Sequence, residues 1–247
     1  MGAHRPRREP ALGIVLSDVA DSAGPERPGA FYGRRKGKRL RATQDELVRT
    51  LLPRLRVDPR TPLKAFDITV SALRLEIGFG GGEHLAAQAR AHPDIGFIGC
   101  EPFVNGVAKL LAVIDREGLS NIRIWDADAT ELIDLLPPRS IAGAYLLYPD
   151  PWPKRRHRKR RFVSDESLAA LARIMPPGAQ LRFATDIDDY AGWALTRVLR
   201  SRAFAWTAER PDEWRQPRAD WPGTRYEAKA IHEGRRPAYL TFERVGP

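Results

Sequence analysis

A chain of 247 residues, 43% of them apolar, has material for one α/β core of ordinary size. Its 41 basic residues against 31 acidic ones leave a net charge of +10, which favours a polyanionic partner; nucleic acid precedes membrane because no basic amphipathic helix stands out. A single cysteine, Cys100, excludes an internal disulfide, the five histidines lack metal-ligand spacing, and no stretch reaches the roughly 18 apolar residues of a membrane span. A cytoplasmic, metal-free protein is therefore expected.

Residues 1–30 mix prolines, glycines and charges without periodicity, and are expected to form a disordered basic tail. Arg7-Arg8 precedes only six apolar residues, too few for an export signal. From Gly33 to Arg41 six of nine residues are cationic, consistent with a solvated linker or an arm that meets RNA phosphates. Thr43 and Glu46 offer a capping box for a helix over Asp45–Leu52 that Pro53 stops.

From Leu73 onward strand and helix patterns alternate, which predicts a doubly wound parallel sheet with ligands at the strand C-termini. Strands are expected at Leu73–Ile77, Ile95–Cys100, Asn121–Trp125, Ala142–Tyr148 and Gln180–Ala184, with late strands over Tyr226–His232 and Ala238–Glu243. Helices are expected from Glu83, over Val104–Arg116, over Thr130–Leu136, from Ser164 to Ile174, and over Asp188–Leu199. The division expected is a tail, 1–30, and a single domain, 31–247.

The strand ending at Ile77 runs through Gly78, Gly80 and Gly82 into a helix, the layout of a nucleotide site. A dinucleotide fingerprint would need glycine where Glu83 stands, and a carboxylate there repels pyrophosphate. The spacing Glu76-x-Gly78-x-Gly80-x-Gly82 instead resembles motif I of the class I S-adenosylmethionine-dependent methyltransferases. Glu101 after the second strand can accept from ribose hydroxyls, and Asp128 after the third can accept from an adenine amine.

After the fourth strand comes Pro149-Asp150-Pro151-Trp152-Pro153, rigid, aromatic and carboxylate-bearing. Next is Lys154–Arg161, in which seven of eight residues carry fixed positive charge. With Ala184-Thr185-Asp186 and Thr224-Arg225-Tyr226-Glu227, these blocks resemble the bacterial tRNA (guanine-N7)-methyltransferases over about Phe31–Val245. That resemblance implies a Rossmann-like, mostly parallel seven-stranded sheet, S-adenosyl-L-methionine as cofactor, and tRNA as partner. The implied reaction is methylation of N7 of a variable-loop guanine (position 46 in the family). Glu76, Gly78, Gly80, Glu101, Asp128 and Asp150 would hold the cofactor, with Asp150 also catalytic. Lys154, Asp186, Thr224, Arg225, Tyr226 and Glu227 would engage the guanosine. Arg155, Arg156, Arg158, Lys159, Arg160 and Arg161 would meet RNA phosphates. The alternative is a class I methyltransferase acting on another RNA, a protein or a small molecule. No protein partner is required by the sequence; a monomer and a homodimer both remain open.

Guanine N7 carries a lone pair and no proton, so no general base is needed. N7 of a paired guanine faces the deep, narrow major groove of A-form RNA, so an unpaired or extruded base is expected, with Trp152 or Tyr226 as stacking surface.

Overall fold

The computed structural model describes residues 32–246; the tail expected over residues 1–30 lies outside them. Two short helices open this part, α1 (Ala42–Thr50) and α2 (Leu52–Leu55), followed by a 3₁₀ turn at Pro62–Ala65. The first alternation then runs β1 (Ala72–Ile77), α3 (Glu83–Ala91), β2 (Ile95–Cys100), α4 (Val104–Glu117), β3 (Ile122–Trp125) and α5 (Ala129–Leu135). It continues with β4 (Gly143–Leu147), a 3₁₀ turn at Arg155–Arg160, α6 (Asp165–Ile174), β5 (Gln180–Thr185) and α7 (Asp188–Ser201). The last elements are β6 (Phe204–Trp206), α8 (Asp212–Arg215), α9 (Arg225–His232) and β7 (Ala238–Arg244).

Seven strands form one sheet in the order β3-β2-β1-β4-β5-β7-β6. β1 to β5 are mutually parallel, and β7 runs antiparallel between β5 and β6. The sheet is buried on both faces. Leu73, Leu75 and Ile77 share one side with Leu146, Phe183 and the inner faces of α5, α6 and α7. Phe97, Ile124, Tyr145 and Leu147 share the other with α3 and α4. In register, Ile77 lies beside both Cys100 and Leu146, so β1, β2 and β4 end level. The segments that follow them emerge at one edge, on either side of the point between β1 and β4 where the strand order reverses.

Three elements differ from the sequence reading. Residues 226–232 are helical, because Thr224 Oγ1 accepts from Glu227 N–H at 3.1 Å while Glu227 Oε2 accepts from Thr224 N–H at 3.2 Å. That Thr-x-x-Glu box outweighs an apparent alternation of Tyr226, Ala228 and Ala230. α1 begins at Ala42 rather than at Asp45, and Pro53 sits in the first turn of α2, where a missing N–H breaks no bond. β6, too short for a period to register, went unseen in the sequence.

Gly106 in α4 fixes how closely the first glycine turn approaches. A Cβ there would stand 2.1 Å from the Gly80 carbonyl oxygen, which is backbone and cannot step aside. Gly106→Ala is therefore expected to destabilise the fold by about 1–3 kcal/mol, lowering Tm by roughly 3–10 °C, and to weaken binding at the turn. Thermal denaturation and calorimetry of the purified variant check both effects.

Candidate active site

The C-terminal strand edge holds a cavity of about 450 Å³. It is lined by Gly78 and Gly80 of the glycine turn, by Glu101 and Asp128 after β2 and β3, and by Asp150 and Trp152 after β4. Gly78, Gly80 and Gly82 all have positive φ, at 71°, 59° and 80°. At Gly78 a Cβ would meet no protein atom within 4 Å, so the residue keeps space open as well as permitting the turn.

Glu101 organises this corner. Its Oε2 accepts from Gly80 N–H at 2.7 Å and its Oε1 from Phe103 N–H at 3.0 Å. Each carboxylate oxygen keeps a second lone pair. Asp128 caps α5, its Oδ1 accepting from the Thr130 N–H and hydroxyl, both at 2.9 Å. Burial pushes Asp150 above the usual carboxylate range. Burial does the same to Glu101 against the pull of its two backbone N–H donors, and the negative charge of Asp150 adds to the rise. These are acids held where a cation would relieve them.

The loop carrying Asp150 is bent at both ends. Tyr148 and Trp152 have φ of 50° and 42°, in the left-handed region that non-glycine residues seldom enter. Such strain of about 1–3 kcal/mol per residue persists only where surroundings enforce it. Here Tyr148 N–H donates to Ala184 O at 2.7 Å, and Arg161 Nε donates to Pro151 O at 2.7 Å.

Arg161 itself corrects an expected phosphate contact. Its side chain is wholly buried, paired with Asp189 and stacked on Tyr190 and Trp193. Its guanidinium fastens the Asp150 loop and does not reach the surface. Arg158 also pairs with Asp189, at 2.7 Å, but stays partly exposed. Arg155, Arg156 and Lys159 are exposed, while Arg160 turns toward the cavity and lies over Trp152 and Tyr32.

Glu76, expected to hold the cofactor, lies deeper than the cavity lining. It is buried, does not line the cavity, and its Oε2 lies 2.7 Å from His84 Nδ1. Leu75 and Ile77 occupy one face of β1, so the pleat sends Glu76 to the other, under α3. His84 packs between Tyr145 and Trp221, with ring centroids 4.7 and 5.2 Å away. The sequence carried the clue that Glu76 and His84 flank one tight turn, but no spacing rule ties a strand end to a first helical turn.

The four C-terminal candidates divide. Arg225 and Tyr226 reach the cavity, with Tyr226 Cε2 3.2 Å from the position of a Gly80 Cβ. Thr224 caps α9. Glu227, expected to accept from guanine, is buried and already accepts from Trp221 Nε1 at 2.6 Å and from the Tyr239 hydroxyl. In this arrangement its carboxylate is occupied, and it holds α9 against β7. Asp186 accepts from Arg235 Nε at 2.6 Å and does not line the cavity, and Lys154 is exposed beside the basic turn.

The basic N-terminal stretch was read as linker or arm; its described part is tied along the cavity. Val104 N–H donates to Arg35 O at 3.0 Å, Gly37 N–H to Asn105 Oδ1 at 2.7 Å, and Asn105 Nδ2 to Lys38 O at 2.7 Å. This places Tyr32, Gly33 and Arg34 in the wall, with Tyr32 edge-on to Trp152 at 6.1 Å. Sequence reasoning missed Tyr32, because nothing local links it to a residue 120 positions away.

A family model described as "Putative methyltransferase" matches residues 71–239. The tRNA (guanine-N(7)-)-methyltransferase of Rhodopseudomonas palustris (strain BisB18) is 54% identical over 233 residues, covering 92% of each chain. The enzyme of that name from Brucella abortus (strain 2308) is 54% identical over 221 residues, 87% of this chain and 95% of that one. The chain belongs to the tRNA (guanine-N7)-methyltransferase family. Its fold is also that of the 16S rRNA methyltransferase KamB, at a TM-score of 0.52 and 17% identity, over 72% of this chain and 90% of that one. For this family member, the level strand ends and the glycine turn are the class I methyltransferase arrangement. Among the described residues no cluster could hold a metal ion, and no helix is long and apolar enough to cross a membrane.

Proposed function

We propose that this protein transfers a methyl group from S-adenosyl-L-methionine to N7 of an unpaired guanine in the tRNA variable loop, in the cytoplasm. The observation that carries this is one cavity in which Glu101, Asp128 and Asp150 meet a glycine floor, flanked by the basic turn after Pro153. The cofactor fits by its chemistry. It has a cationic sulfonium, two ribose hydroxyls and an adenine amine, and no phosphate to be repelled by Glu83. Glu101 would accept from the ribose, Asp128 would face the adenine, and Asp150 would lie nearest the charge. When bound, the cofactor supplies an electrophilic methyl carbon.

The lone pair of N7 would accept that methyl carbon, the sulfur would leave as a neutral thioether with the S–C electron pair, and the positive charge would pass to the purine. The protein abstracts no proton in this step. Its contribution is in-line positioning, which can supply roughly 7–11 kcal/mol, and a carboxylate beside the developing cation. The strained Asp150 loop, fastened by Arg161, holds that carboxylate without rearrangement during the reaction. Trp152, Tyr226 and Tyr32 offer aromatic surface at the mouth for an extruded base. Arg225, and Asp186 or Lys154 after local rearrangement, would complete recognition of the guanosine.

Incubation of the purified protein with tRNA and labelled cofactor, followed by mass-spectrometric mapping, tests the proposal. The expected product is N7-methylguanosine in the variable loop. Its absence, or methyl incorporation elsewhere, overturns it.

The raised acids predict a pH dependence. A carboxyl raised in the folded state binds protons that the unfolded chain releases, so its destabilising effect on the unliganded protein builds up as pH rises from its unfolded value to its folded one and is complete above that. A bound cation favours the charged form and lowers those pKa values. Cofactor affinity is therefore expected to fall as pH drops from neutrality toward the ordinary carboxylate range near 4. S-adenosylhomocysteine, whose sulfur is neutral, is expected to show a shallower fall. Calorimetric titrations of both ligands across this range provide the check.

A further inference from the structure

On the other side of the basic turn from the cofactor cavity lies a second cavity of about 480 Å³, bounded by the turn, the start of α6 and the middle of α7. Five cations line it: Arg155, Arg158, Lys159, Arg161 and Arg197. The buried guanidinium of Arg161 donates through Nε to Pro151 O and through Nη2 to Asp189, so it braces the wall of this cavity and the contacts to a ligand fall to its more exposed neighbours. Arg197 lies flat on Trp193, its guanidinium carbon 3.4 Å from the ring centroid. Stacking uses the face of the guanidinium and leaves its N–H edge for a planar or tetrahedral oxyanion.

Two carboxylates, Asp165 and Glu166, share the cavity at the first turn of α6. Glu166 is held below the usual range by its own backbone N–H, then by the Ser164 hydroxyl and more weakly by Arg197, so its charge is engaged chiefly at the helix start, and Arg197 feels both acids. With Asp189 counted, which pairs with Arg158 and Arg161, the cations still outnumber the acids five to three. Arg160 faces the cofactor cavity while its neighbours on the same turn face this one. A strand whose base enters the first cavity would thus carry its backbone across the turn toward the second.

We propose that this second cavity is a phosphodiester subsite, which binds a backbone phosphate of the tRNA while the target guanosine occupies the cofactor side of the turn. The proposal rests on the tRNA reading above and adds Arg197, stacked on Trp193, to the residues that read the substrate backbone.

The test is a titration of full-length protein with a tRNA transcript between about 50 and 300 mM salt, for wild type, Arg197→Gln, Arg197→Lys, Arg155→Gln and Arg200→Gln. Arg200 is the control, since it sits on the same helix but lines a different groove. Loss of one phosphate contact reduces the slope of log affinity against log salt by about 0.7–0.9. Arg197→Gln and Arg155→Gln are each expected to show that reduction and to bind roughly 3- to 10-fold more weakly at the low-salt end, with cofactor affinity unchanged. Arg197→Lys should keep the slope, and Arg200→Gln should match wild type. The subsite is overturned if Arg197→Gln and Arg155→Gln keep the wild-type slope, or if Arg200→Gln shifts it equally. A wild-type protein whose tRNA affinity ignores salt overturns the tRNA reading itself, a different outcome from equal slopes among variants.

Discussion

Asp150→Ala is expected to lower the single-turnover methylation rate by roughly 10²–10³-fold, the range found when one preorganised charge-stabilising group is removed. The effect belongs to the chemical step, because the carboxylate lies in the cavity wall on a loop held at Pro151 by Arg161 and at Tyr148 by β5. Removing it relieves a desolvated acid, so the fold should keep or slightly gain stability. Asp150→Asn keeps the shape and loses the charge, and should be nearly as slow. Rate measurements at saturating cofactor and tRNA, with Tm recorded alongside, separate these effects. A rate for Asp150→Ala within about threefold of wild type would remove Asp150 from its assigned role.

Glu101→Ala should fail differently. It strips the acceptor from two backbone N–H groups, those of Gly80 and Phe103, which hold the glycine turn against the start of α4. Each unpaired donor costs about 1–3 kcal/mol, moderated where water enters the cavity. A loss of about 2–4 kcal/mol follows, or a Tm lower by roughly 5–15 °C. Cofactor affinity should drop on the order of 100-fold, since the charged acceptor for ribose disappears and the floor shifts. Glu101→Gln keeps one acceptor oxygen and should fall between the two. Calorimetry on the folded fraction decides: if Glu101→Ala binds cofactor as wild type does, Glu101 is only a turn residue.

The local pattern carried much of the fold. Apolar strands ending in glycine or acid, and helices with three- and four-residue spacing, marked β1 to β5 and their crossovers, because a parallel sheet covered on both faces needs those runs. The acids Glu101, Asp128 and Asp150 were legible for the same reason: strand ends are readable, and level strand ends put them at one edge. Residues 226–232 show the limit of periodicity. Eight residues fit a strand or a helix, and the Thr224–Glu227 box, present in the sequence, decided for the helix.

Three assignments depended on the tertiary structure. Glu76 left the cavity because both faces of β1 are buried, and only the packing of α3 shows that His84 waits on the second face. Arg161 looks like its neighbours in the basic run, yet α7 brings Asp189, Tyr190 and Trp193 around it, and a charge so enclosed is a structural tie. Of the N-terminal cations, Arg34 is part of the cavity wall, on a stretch tied down through Asn105 some 70 residues downstream. The sequence by itself determined the class of fold, and it pointed to the cofactor chemistry and a polyanionic partner, since these follow from residue type and local spacing. Which charges face the ligand and which hold the protein together was decided by the folding of distant segments, because exposure and pairing are properties of the packed chain.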